Sequence, residues 1–120
     1  MARIRTIKPS VFSSLTVSSW PIEARWTFAG LWTYLDDAGR GIDEPRLIKA
    51  ELYPLDDKMT PAKVEKHLDM FEQSGPLCRY SHNGIRYLHV TSWREHQRIN
   101  RPTPSKYPPC PKCSEGSEAA

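Results

Sequence analysis

Long apolar runs are missing from this chain of 120 residues. A membrane-spanning helix needs roughly 18–20 consecutive apolar residues, and no stretch approaches that length. The opening MARIRTIKPSVF also lacks the apolar centre of a secretory leader, so the expected compartment is the cytosol. Cysteine is scarce: the three residues Cys78, Cys110 and Cys113 cannot make the dense disulfide framework of a small secreted domain. There is no Gly-rich phosphate loop. His67, His82, His89 and His96 are not spaced as a catalytic set, and no Ser or Thr stands in a nucleophile-elbow setting. The carboxylate pairs Asp36-Asp37 and Asp56-Asp57 are adjacent in sequence, so their side chains point apart and serve to cap or end elements rather than to share a Mg²⁺ ion. These absences argue against an enzyme, and no cofactor is expected.

What is present is one domain's worth of chain, 38% apolar, enough for a single small core. The net charge is only +3, yet it is unevenly spread: +3 over residues 1–22, −4 over 23–76, +6 over 77–113 and −2 over the last seven. Basic charge concentrated at both ends of a fold suits a protein that holds a polyanion with arms and one face. The sequence divides into a basic arm (1–18), a folded body (19–93), a basic proline-rich strip (94–109) and a tail (110–120).

Local signals outline the body. Pro21 belongs in the first turn of a helix running to about residue 36, with Ala24, Phe28, Leu31, Leu35 and Trp32 on its core side and Trp26, Gly30 and Tyr34 nearly opposite. An extended Gly41-Ile42 precedes a second helix that starts at Asp43-Glu44-Pro45, buries Leu47, Ile48 and Leu52, and stops at Pro54. Thr60-Pro61 caps a third helix ending at Gly75. Its Val64, Leu68 and Phe71 form the buried face, Lys63, Lys66, Met70 and Gln73 an outer ridge, and Glu65, Asp69 and Glu72 one flank. Asn83-Gly84 between two runs rich in aromatic and branched residues signals a hairpin.

Helix, strand, helix, helix, hairpin is the order of a winged helix-turn-helix, a mainly α fold with a small β-hairpin (α+β). In that fold the third helix enters a DNA major groove and the hairpin is the wing. Candidate DNA contacts are Thr60, Lys63, Lys66 and His67 on the third helix, and His82 and Asn83 at the wing tip between Arg79 and Arg86. Arg3, Arg5 and Lys8 on the arm and Arg98, Asn100, Arg101 and Lys106 on the strip complete the set. From residue 96 on, the strip, HQRINRPTPSKYPP, contains no acid, and its prolines favour a stiff extended path that loses little entropy on binding. Two other readings of it stand beside DNA contact: a strap packed over Trp26 and Tyr34, and a rigid spacer. Cys110-Pro-Lys-Cys113 is half of a zinc knuckle; four ligands are needed, and the remaining candidates are His89, His96 and the distant Cys78. Lacking a second C-x₂-C, the expectation is no metal, with Cys110 and Cys113 the residues on which one would have to be built.

The segments MARIRTIKP, EARWTFAGLWTYLDDAGRG, RLIKAELYPLDD and GIRYLHVTSWREHQRINRPTPSK, with INRPTPS following SW-x-x-HQ as the most distinctive piece, resemble small winged-helix proteins encoded by phages and prophages of actinobacteria. These are often grouped with replication initiators or replisome organisers. The resemblance spans roughly residues 1–109. It implies phage origin, double-stranded DNA as partner, the bacterial cytoplasm as location and a role in starting phage DNA replication. A second copy of the chain and a phage or host replication protein are further candidate partners. A transcriptional regulator, and a protein-interaction module recruiting a replication partner, remain open as alternatives.

Overall fold

The computed structural model describes residues 3–112. Among them are six helices and a three-stranded antiparallel sheet: α1 (Ser10–Ser13), α2 (Leu15–Ser18), α3 (Ile22–Tyr34), β1 (Arg40–Ile42), α4 (Pro45–Leu52), α5 (Pro61–Ser74), β2 (Leu77–His82), β3 (Ile85–Val90) and α6 (Trp93–His96). No helix is long and apolar enough to cross a membrane among the described residues.

Capping chemistry sets most of these boundaries. The Thr60 hydroxyl accepts the Lys63 N–H at 3.2 Å, Pro61 fills the first turn of α5, and Gly75 at φ 106° ends it. Glu44 performs the same service for α4 through the Arg46 N–H. The arm holds two single helical turns, the second capped by Ser14.

The core lies between α3 and α5. Ala24, Phe28, Leu31, Trp32 and Leu35 are buried, as the helical spacing requires, and meet Val64, Leu68, Phe71 and Ile48. Trp20 joins them, with ring centroids 5.1 Å from Phe28 and 4.6 Å from Phe71, and its indole N–H reaches the Ser74 hydroxyl. Leu47, expected inside, is 49% exposed: α4 is only two turns long and buries itself through Ile48, with Leu52 half-buried against Gly30.

The hairpin turn is as its residues demand. Asn83 (φ 52°) and Gly84 (φ 80°) both take left-handed backbone, the primed turn that matches strand twist. Strand order is β1-β3-β2. Leu77, Arg79, Leu88 and Val90 share one face and Cys78, Tyr80, Tyr87 and His89 the other, because Leu77 pairs with Val90, Cys78 with His89, Arg79 with Leu88 and Tyr80 with Tyr87. The first face joins the helical core, and the second forms a separate cluster with Cys110 and Tyr107. Gly39 (φ 78°) lets the chain pass under Trp93, since a Cβ there would sit 2.6 Å from the indole ring.

Candidate nucleic-acid interface

The outer ridge of α5 is bare. Lys63 and Lys66 are exposed, as are Thr60 and Gln73, while the Lys63 ammonium leans back to the Lys58 carbonyl at 3.0 Å. Met70, grouped with the ridge on sequence spacing, instead packs partly on the core. At the wing tip His82 and Asn83 are exposed, as are the other residues of 81–86.

Of the two wing arginines expected to contact phosphate, one is buried and the other leans on a carboxylate of the body. Arg79 is 8% exposed because inward alternation along β2 carries it under α5. There it donates Nε and Nη2 to Asp43 at 2.7 and 2.9 Å, Nη1 and Nη2 to Glu65 at 2.8 and 2.7 Å, and Nη1 to Asp69 at 2.7 Å. All five guanidinium donors are used. Burial opposes the charge, but the Glu65 and Asp43 carboxylates more than offset it and hold the Arg79 pKa above its ordinary value. Arg86 is half-exposed and leans on the same Asp43 at 3.3 Å. The acidic flank of α5 therefore faces the ribbon, and the continuous basic surface expected from helix and wing is interrupted by a row of carboxylates.

His67 is likewise withdrawn from the candidate contacts. It lies three residues after Val64 and four before Phe71, on the buried face, and is 7% exposed. Its Nδ1 is 2.9 Å from the Thr27 hydroxyl, which also meets the Tyr53 hydroxyl, and its Nε2 is 3.3 Å from a Glu23 carboxylate oxygen. The proton arrangement that links the side chains has Tyr53 donating to Thr27, Thr27 to Nδ1 and Nε2–H to Glu23, and it takes the place of the back-bond from the Thr27 hydroxyl to the Glu23 carbonyl 3.2 Å away. Burial lowers the His67 pKa, outweighing the opposing pull of Glu23, so the ring is neutral near pH 7 and the relay is complete. Thr27→Val, which keeps the shape and removes the central hydroxyl, is expected to cost about 1–3 kcal/mol in urea unfolding, with Tyr53 and His67 left without their shared partner. An unchanged midpoint would show the relay to be energetically idle.

The arm is folded back. Arg5, its side chain 5% exposed, donates to Asp37 at 3.0 Å and to the Trp32 and Leu35 carbonyls at 3.0 and 2.9 Å, closing the C-terminal end of α3, and lies over the Trp93 ring. Arg3 joins Asp37 at 3.0 Å while remaining partly exposed. Neither is a free arm cation; Lys8 is exposed. Gln97 holds Thr6 reciprocally, accepting its N–H at 3.0 Å and donating to its carbonyl at 2.6 Å.

The strip also packs, though not where a strap was expected. Asp37 accepts the Thr103 N–H at 2.9 Å, Asp36 the Ser105 hydroxyl at 2.6 Å, Arg40 donates to the Tyr107 carbonyl, and Tyr80 donates to the Pro108 carbonyl at 2.7 Å. The strip thus crosses the Asp36–Asp37 turn and covers the second face of the sheet, leaving Trp26 69% exposed; Tyr34 is half-buried through its bond to the Ile42 carbonyl. Arg98, Asn100, Arg101 and Lys106 point to solvent. Between strip and body runs a cleft of about 930 Å³, to which Arg40, Arg94 and Arg98 contribute. Arg94, which no sequence pattern had singled out, therefore joins the strip cations.

Cys110 is buried, and Cys113 lies outside the described residues. Among the described residues no three His, Cys, Asp or Glu side chains gather into a group that could hold a metal ion. Compared with protein-family models, with curated proteins and with solved structures, the chain matches none of them.

Proposed function

We propose that this chain is a duplex-DNA-binding protein of the winged helix-turn-helix type, a binding protein rather than an enzyme. The observation that carries the reading is the succession α3, β1, α4, α5, β2, β3 with strand order β1-β3-β2, which leaves the outward face of α5 uncovered beside an exposed hairpin tip. A helix of 14 residues fits a major groove, whose base edges carry distinguishable donors and acceptors. Thr60, Lys63 and Lys66 face the groove and its phosphates, and His82 and Asn83 reach the neighbouring backbone. Lys8, Arg98, Arg101 and Lys106 supply positioning contacts that carry no sequence information.

With about six phosphates neutralised, log K falls against log salt with a slope of about −5.4. The double substitution Lys63→Ala, Lys66→Ala is expected to weaken binding at least about tenfold and to make that slope shallower by about two. Fluorescence anisotropy on specific and scrambled duplexes at several salt concentrations reads both quantities. Identical affinity and slope in the variant would overturn α5 as the docking helix.

The resemblance to actinobacterial phage and prophage replication proteins supports phage origin and a role in replication initiation in the host cytoplasm. Sequencing of protein-bound fragments from the phage genome tests that role: enrichment at an origin supports it, and enrichment at promoters makes the protein a transcriptional regulator. One observation favours a protein partner as well. Ile22 and Trp26, one helical turn apart on α3, are 71% and 69% exposed, an apolar pair suited to a replication protein or a second copy of the chain. Partners that survive nuclease treatment during copurification would support that second role.

A further inference from the structure

We propose that the cleft between the strip and the body binds a free nucleoside triphosphate, held by its polyphosphate chain. Neither α5 nor the wing tip lines it, so the site does not depend on duplex binding. Its volume of about 930 Å³ falls within the roughly 300–1,000 Å³ usual for small-molecule sites. Arg40, Arg94 and Arg98 stand in its wall. Arg40 is positioned by its bond to the Tyr107 carbonyl at 2.9 Å, while the guanidinium groups of Arg94 and Arg98 make no hydrogen bond or ion pair among the described residues. The carboxylate of the same wall is already committed. Asp37 receives Arg3, Arg5 and the Thr103 N–H, and Glu95, next to Arg94 in sequence, is not part of the lining. A concave surface carrying charge of one sign focuses its field and draws in a multiply charged ion of the other.

The cleft is built before any ligand arrives. On the strip side the Thr103 N–H is tied to Asp37 and the Ser105 hydroxyl to Asp36, and Pro102 and Pro104 stiffen the chain on either side of Thr103. On the body side the Trp93 indole N–H donates to the Asp37 carbonyl at 2.8 Å, and the buried Gln97 spends its amide on Thr6. Both walls are thus fixed, and little ordering entropy is lost on binding.

The chemistry of the wall selects the ligand. Guanidinium forks match phosphate oxygens in pairs. Ile99, Pro102 and Pro104 offer an apolar side to a base and its sugar, and Asn100 an amide able to pair with a base edge. A strand of nucleic acid fits less well, because successive bases need open aromatic faces on which to stack. Trp93, the aromatic residue of the wall, is 2% exposed with Arg5 over its ring. With Asp37 committed, the wall has no carboxylate to share a Mg²⁺ ion with the phosphates, so the nucleotide is bound and not cleaved.

Calorimetric titration of the full chain with metal-free ATP in chelator is expected to show a single site. Inorganic triphosphate should bind at least about threefold more weakly, and adenosine not at all up to about 1 mM. Arg98 is shared with the proposed duplex contacts, so Arg94 carries the test. Arg94→Glu, at an exposed position, is expected to weaken ATP at least about tenfold, while Arg46→Ala, a cation outside the cleft, leaves it unchanged. Asp37→Ala, titrated at a temperature where circular dichroism shows it folded, separates a built cleft from diffuse charge. It removes a negative charge and unties two arginines, so diffuse attraction would grow, whereas loss of the strip's anchor opens the cleft and lowers affinity at least about tenfold. No ATP binding up to about 1 mM, equal affinity for triphosphate, tighter ATP binding by Asp37→Ala, or an Arg94→Glu change that weakens a single-stranded oligonucleotide but not ATP would each overturn the site.

Discussion

Arg79→Met is expected to destabilise the fold by about 3–5 kcal/mol in urea unfolding, although the new side chain is apolar and of suitable length for the space. The loss arises from what stays behind. Asp43 is 1% exposed at its side chain and would keep a full negative charge with only Arg86, at 3.3 Å, to answer it. Glu65 and Asp69, four residues apart on α5, would repel each other without the cation between them. The Arg79 hydrogen bond is the main reason the Glu65 carboxyl lies below its usual range, so Arg79→Met should also bring that titration back up. Arg79→Lys is expected to recover little, because one ammonium cannot replace two bidentate pairs. Asp43→Asn in the Arg79→Met background should recover part of the loss by removing the stranded charge, a coupling that a double-mutant cycle isolates. A cost below about 1 kcal/mol for Arg79→Met would reduce the cluster to ordinary surface pairing.

Asp37→Ala is expected to cost about 3 kcal/mol and to release two segments at once. It removes the acceptor of Arg3, Arg5 and the Thr103 N–H and leaves the buried Arg5 guanidinium without its counter-charge. Trypsin should then cut after Arg5, Arg98 and Lys106 much faster than in the parent protein. Equal cleavage rates would show that the segments are held by something else. The pH dependence has a definite sign. Burial acts to raise the Asp37 pKa, but the Thr103 N–H and the two arginines outweigh it and the net shift is downward. A carboxylate depressed in the folded state contributes stability above its unfolded value near 3.8, and that contribution is lost as pH falls through the lower folded value. Acid unfolding of the parent protein should therefore show a component below about pH 4 that is missing in Asp37→Ala.

How much of this was legible in the sequence depended on the range of the interaction. Thr60-Pro61, Gly75 and Asn83-Gly84 act through their own backbone, so their elements stand where local chemistry puts them. Arg79 was misplaced because its partners lie 36, 14 and 10 residues away, a relation no local pattern records. A signal did exist: Arg79 alternates with the buried Leu77, and Glu65 and Asp69 form an i,i+4 acidic row in want of a cation. His67 carried a clearer one, since it shares the helical face of Val64 and Phe71. For Arg5 there was none, because an arginine in an open N-terminal segment looks the same whether it meets phosphate or the carbonyl end of a helix. The candidate residues thus stay exposed where they stand on the solvent side of a local element and are withdrawn where long-range pairing claimed the cations first.

Asp37 receives a donor from residue 3 and another from residue 103, so the closing contact joins positions a hundred residues apart in the order of synthesis. At roughly 5–20 residues per second, Arg3 and Arg5 leave the ribosome some 5–20 s before Thr103 does. During that interval the nascent chain can settle its helices but cannot complete the clasp, which makes docking of the strip a late event in the birth of the molecule.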